Sequence, residues 1–135
     1  MTINIIAVIV AAIASMVVGF VWYTVLFQKP WMKLSGTKMD PKDKEAMAAA
    51  NMGYALTFVG SLVMSFVFAV FANMTNTTGL ANGAILGAVA WVGFTFPPMM
   101  ATYFFGKRPT MLLLIDSGNF LATMVVVGAI IGMWR

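Results

Sequence analysis

Residues 19–36 read GFVWYTVLFQKPWMKLSG. An apolar run gives way within a few positions to Trp22, Tyr23, Phe27 and Trp31, with Lys29, Pro30 and Lys33 among them. Upstream, nothing from Thr2 to Phe27 carries a charge. That run exceeds the roughly 20 residues, at about 1.5 Å each, that cross the hydrocarbon core of a bilayer. Aromatic rings rest among lipid headgroups, and lysines mark the wet side beyond them. The stretch therefore marks where a helix leaves a membrane. Pro30, unable to donate to the preceding turn, is expected to stop that helix. No Lys or Arg precedes Lys29, and the apolar run continues well past Ala14, so the segment is expected to be a retained span, not a cleaved signal.

Three further apolar runs follow, from about Ala46 to Ala72, about Leu80 to Phe105, and Pro109 to Trp134. Backbone in lipid must satisfy its own hydrogen bonds, so each is read as a helix. Composition agrees. Of 135 residues, 61% are hydrophobic and 9% charged, against about a quarter charged in soluble domains. The expected fold is all-α: one domain over 1–135, a polytopic up-down bundle of four transmembrane helices at about 2–27, 41–72, 80–105 and 109–134.

Charge sets the expected orientation. The first connection holds Lys29, Lys33, Lys38, Lys42 and Lys44, and the third holds Lys107 and Arg108. The connection from Asn73 to Gly79 holds no cation, and Arg135 sits alone at the far end. The positive-inside rule places 28–40 and 106–108 in the cytoplasm and both termini outside, in the periplasm of a bacterium. Residues 28–40 read as the one sizeable non-helical segment. Asp40 is an N-cap candidate, Pro41 suits the first helical position, and Asp43 and Glu45 suit the first turn.

The two hairpins resemble each other. Gly19-Phe20 precedes the Phe27-to-Pro30 exit, and Gly93-Phe94 precedes the Phe105-to-Pro109 exit. Asn51-Met52-Gly53 then enters the second helix as Asp116-Ser117-Gly118 enters the fourth. Either a duplication or the common chemistry of inner interfaces explains the match.

Small residues recur every fourth position: Ala7, Ala11, Ser15 and Gly19; Gly79, Gly83 and Gly87; Gly128 and Gly132. Each set shares a helix face and permits close backbone approach. They serve packing within the bundle, or a homo-oligomer, or both.

Asp116 is the acid inside a span, about 9 Å from the start of the fourth helix. An ionised carboxylate in hydrocarbon is costly, so it should face the bundle or a wet cavity. Asn51 is expected at similar depth, Asn119 on the same face one turn on, and Tyr103, Lys107 and Arg108 close by. Either this is a proton, cation or ligand site, or it is a polar network that fixes helix register, with Asp116 paired to Arg108 or Lys107. Pro97-Pro98 falls inside the third helix and should kink it. Gly93, Phe94, Phe96, Met99 and Met100 surround the break, beside an apolar pocket or a filled static bend.

Much chemistry is excluded. There is no Cys and no His, so disulfides, thiolate metal sites and His bases are out. The 13 Met scatter without a copper-binding motif. No nucleophile–base pair or phosphate loop is present. The reading is therefore not an enzyme, with no cofactor, no metal and no nucleic-acid partner. The bilayer is the expected partner.

The motifs resemble the small bacterial membrane family catalogued as domain of unknown function 1761. GFVWYTVLFQKPWMKLSG carries the resemblance, with WVGF at 91–94, FFGKRP at 104–109, IDSGNF at 115–120 and GMW at 132–134. It covers nearly the whole chain. It implies a four-helix bacterial inner-membrane protein and implies no activity. It also implies Asn in many relatives at the position of Asp116, which favours hydrogen bonding there over general proton relay. Two functions stay open. One is a small-molecule or ion binding or permeation module around Trp22, Tyr23, Trp91, Phe94, Asn51, Asn119, Tyr103 and Asp116. The other is a scaffold that organises partners or lipids.

Overall fold

The computed structural model describes residues 2–36 and 42–135. Every regular element among them is helical. α1 runs Ile5–Phe20 and continues through a π-helical turn at Val21–Leu26. α2 is Gln28–Ser35, and α3 is Lys44–Met74. α4 spans Leu80–Ala90, a second π-helical turn spans Trp91–Thr95, and α5 spans Phe96–Phe105. α6 is Thr110–Met133. Among the described residues, four helical stretches are long and apolar enough to cross a membrane: Ile5–Leu26, Lys44–Met74, Leu80–Phe105 and Thr110–Met133.

Local chemistry explains the ends. The Asn4 side chain accepts from the Ala7 N–H and caps α1. The Asp43 carboxylate accepts from the Glu45 and Ala46 amides and caps α3. Asp43 is thus the cap, not a first-turn residue, and the expected start at Asp40-Pro41 lies outside the described residues. Gly36 closes α2 in the left-handed region at φ 73°, where glycine has no Cβ to clash.

The segment at 28–40 differs from expectation. Its first part is helix α2, with Pro30 inside the first turn. The first N–H groups of a helix have no intrahelical partner, so a proline there forfeits nothing. The break falls instead at Phe27, at φ −128°. Pro97 and Pro98 likewise occupy the first turn of α5, directly after the second π-turn.

Unlike in a soluble protein, apolar side chains lie on the outside as well as the inside. The interior where α1, α3 and α6 meet is made of Ala7, Val8, Ala11, Phe68, Ala69, Ala72, Met124, Val127 and Ile131. Large apolar side chains such as Ile6, Val25, Leu56 and Phe104 point outward. Such a surface suits lipid, where the drive to assemble is close fit between helices.

The glycine stripes divide by what they touch. Gly83 and Gly87 on α4 lie against the backbone of Gly128 and Met124 on α6, so close that a Cβ on any of these glycines would overlap the opposing carbonyl. The Gly79 amide donates to the Gly132 carbonyl at 2.8 Å. α4 and α6 therefore form a seam within one chain. Ala7, Ala11 and Ser15 are buried in the bundle, but a Cβ at Gly19 would meet nothing within 4 Å. That last member of the α1 stripe faces open space.

Candidate functional site

The site is built on α6 around Asp116. The Tyr23 hydroxyl, from the first π-turn, donates to Asp116 Oδ1 at 2.6 Å. The Tyr103 hydroxyl, from α5, donates to Asp116 Oδ2. Both carboxylate oxygens thus accept phenolic hydrogen bonds, one from each hairpin. The polar-network alternative pairs Asp116 to Arg108 or Lys107; its hydrogen-bond partners are these two tyrosines, which clamp it. The Arg108 guanidinium lies over the Tyr103 ring instead, 5.8 Å from its centroid, and adds a cation–π contact behind the clamp.

Two tryptophans hold the carbonyls on either side. Trp22 Nε1 donates to the Ile115 carbonyl at 2.8 Å. Trp91 Nε1 donates to the Ser117 carbonyl, also at 2.8 Å. Each indole starts or sits in a π-turn, and the two turns match in detail. The Trp22 carbonyl accepts from the Phe27 N–H, and the Trp91 carbonyl accepts from the Phe96 N–H. Each Trp packs on the Phe five residues ahead, with ring centroids 4.9 and 5.1 Å apart. A π-turn widens the helix by one residue, and such turns concentrate at functional sites. Here each swings an indole toward α6. The likeness between hairpins therefore runs through Trp22 and Trp91, not through Gly19-Phe20 and Gly93-Phe94. Gly118 makes the approach possible, since a Cβ there would stand 2.9 Å from the Trp22 ring.

Beside this cluster lies a cleft of about 750 Å³ between α1, α3 and α6. It arises because α3 packs by its second half alone. Its buried residues begin at Ser61, while Met52, Tyr54, Leu56 and Val59 are exposed. Tyr23 belongs to both features: its ring lines the cleft and its hydroxyl holds Asp116. Asn119 also lines the cleft, is 8% exposed, and its Oδ1 has no hydrogen-bond partner. Gly19 and Gly60 line it from α1 and α3, and a Cβ at either would meet nothing within 4 Å.

The sequence-derived candidates thus separate. Asp116, Tyr23, Tyr103, Trp22 and Trp91 come together, and Asn119 adjoins them in the cleft. Asn51 is exposed on α3, and Phe94 is 73% exposed; neither joins the cluster. No residue of the third span lines the cleft, so it lies away from the Pro97-Pro98 break. Ser61, Thr123 and Tyr54 were missed as lining residues. Ser61 and Thr123 carried a signal, each as a polar position amid an apolar run.

Among the described residues no group of three or more His, Cys, Asp or Glu side chains is placed to hold a metal ion. The family model described as a protein of unknown function, DUF1761, matches residues 6–132. No curated protein and no solved structure matches the chain.

Proposed function

The chain belongs to the DUF1761 family of proteins of unknown function, and from that premise we propose that it is an inner-membrane small-molecule binding module. The four spans form an up-down bundle, with the third bent at Pro97-Pro98. Both termini face the periplasm, and the lysine-rich connections face the cytoplasm, as the cation distribution supports. The observation that carries the reading is the 750 Å³ cleft whose wall includes Tyr23, the residue that also clamps Asp116. Its volume lies in the range of small-molecule sites.

Binding is favoured over permeation. Both Asp116 oxygens already accept from tyrosines, and Asp116 is not among the residues that line the cleft. Its role is to hold the two hairpins together beside the cleft. A scaffold function is the second reading, supported by that same closed clamp. A homo-oligomer would have to use faces other than the α4 and α6 stripes, which are occupied by each other.

Gly60→Phe separates the readings. A Cβ at Gly60 meets nothing within 4 Å and the residue lines the cleft, so the variant is expected to fold with its ring in the cleft. Native mass spectrometry of protein released from lipid nanodiscs should show a small-molecule adduct on wild type and none on Gly60→Phe. Equal spectra for the two would contradict a binding role for the cleft.

A further inference from the structure

The cleft has a polar floor beneath an apolar rim. Ser15, Ser61, Asn119 and Thr123 are each no more than 8% exposed, whereas Ile13, Val17 and Phe20 at the rim are more than half exposed. Ser15 lies near the middle of the first span and Thr123 near the middle of the fourth. The floor is therefore deep in the membrane, where hydrocarbon offers no hydrogen bond. The Ser15 and Ser61 hydroxyls satisfy each other at 3.1 Å. Asn119 Oδ1 has no partner and is itself shielded, so the amide turns about its last torsion to bring that oxygen to an occupant of the cleft.

Two kinds of occupant fit poorly. Among the described residues no charged side chain lines the cleft, so an ion would sit unpaired at low dielectric. A bare acyl chain fills the volume but leaves the Asn119 amide without a partner. A phospholipid headgroup stays at the interface, roughly 15 Å from the midplane. What remains is a molecule that dissolves in the bilayer and carries one small uncharged polar group.

We propose that the cleft takes a neutral membrane-soluble amphipath head first. Its hydroxyl or amide head hydrogen-bonds Asn119 on the floor, and its apolar chain runs out past Phe20 and Phe120 into the bilayer. This rests on the cleft being a binding site, and it adds the ligand class: a long-chain alcohol or amide, entering sideways from lipid.

The test uses the full-length protein in phosphatidylcholine vesicles with three photoactivatable probes. These are a long-chain alcohol, the matching fatty-acid anion and the matching alkane, each carrying the same diazirine. Cross-links are mapped to the peptides bearing Met16, Met64 and Phe120. The alcohol should label them roughly tenfold more than the other two, the ratio that one satisfied buried hydrogen bond supplies. Asn119→Leu should lower the alcohol to the level of the alkane, and Gly60→Phe should abolish labelling by all three. The wild-type comparison stands alone if Asn119→Leu does not fold. Equal labelling by alcohol and alkane, or preference for the anion, overturns the ligand class while leaving the cleft a binding site. Labelling by none of the probes overturns the binding reading and the inference with it.

Discussion

Tyr23 reaches across 93 positions of chain to donate its hydroxyl to Asp116 at 2.6 Å. That bond ties the first hairpin to the second, and Tyr103 closes the other side of the same carboxylate. Asp116 is thereby the joint between hairpins. Replacing it with Leu strands two phenolic donors in a low-dielectric setting. Asp116→Leu should lower stability by about 1–3 kcal/mol, and Asp116→Asn, which keeps one acceptor, by about half as much. Thermal unfolding in detergent, followed by tryptophan emission, measures both. An Asp116→Leu protein as stable as wild type would mean the clamp holds nothing.

The seam between α4 and α6 should be far less tolerant than the cleft. Gly83→Ala places a methyl group against the Gly128 carbonyl. The helices must part, at a cost of about 1–3 kcal/mol. Gly53→Ala is the control, since a Cβ there meets nothing within 4 Å. It should be neutral or stabilising by up to about 1 kcal/mol through helix propensity. Equal losses in the two melting temperatures would mean that Gly83 is no more tightly packed than Gly53.

Gly118 and Trp22 form a matched pair. Gly118→Ala should push the indole off the Ile115 carbonyl and into a different environment. The component of tryptophan emission that disappears in Trp22→Phe should shift in wavelength in Gly118→Ala. An unshifted component would show that the ring does not rest on that glycine.

Orientation has its own check. Cys placed at Ser35, at the end of α2, should react with membrane-impermeant maleimide in inverted vesicles and stay protected in intact cells. Labelling from the periplasmic side would reverse the proposed topology.

The four long apolar helices were legible because charge is so scarce: no span could be confused with a soluble helix. The α4–α6 seam was legible in part, because glycine at every fourth position stacks on one face, although its partner helix was not. Pro30 misled, because a proline that ends one helix is equally at home in the first turn of the next, and the backbone breaks at Phe27 instead. The π-turns left no local signature beyond the Trp-to-Phe spacing, which is visible only once the fold aligns Trp22 with Trp91. Asp116 stood out as a lone acid in an apolar run. Its two tyrosine partners were named only as neighbours, since pairing over 93 positions is a property of packing. The cleft was invisible, because exposed apolar residues such as Met52, Leu56 and Val59 look in sequence like the apolar residues that pack further along α3.

The most direct test of the central claim, that the cleft beside the Asp116 clamp is a preformed binding site, is a structure determined in a lipid nanodisc. The prediction is the first half of α3 held away from α6, non-protein density between Phe20, Tyr54 and Phe120, and that density ending against Asn119. A structure in which α3 closes onto α6 and their own side chains fill the space would contradict it.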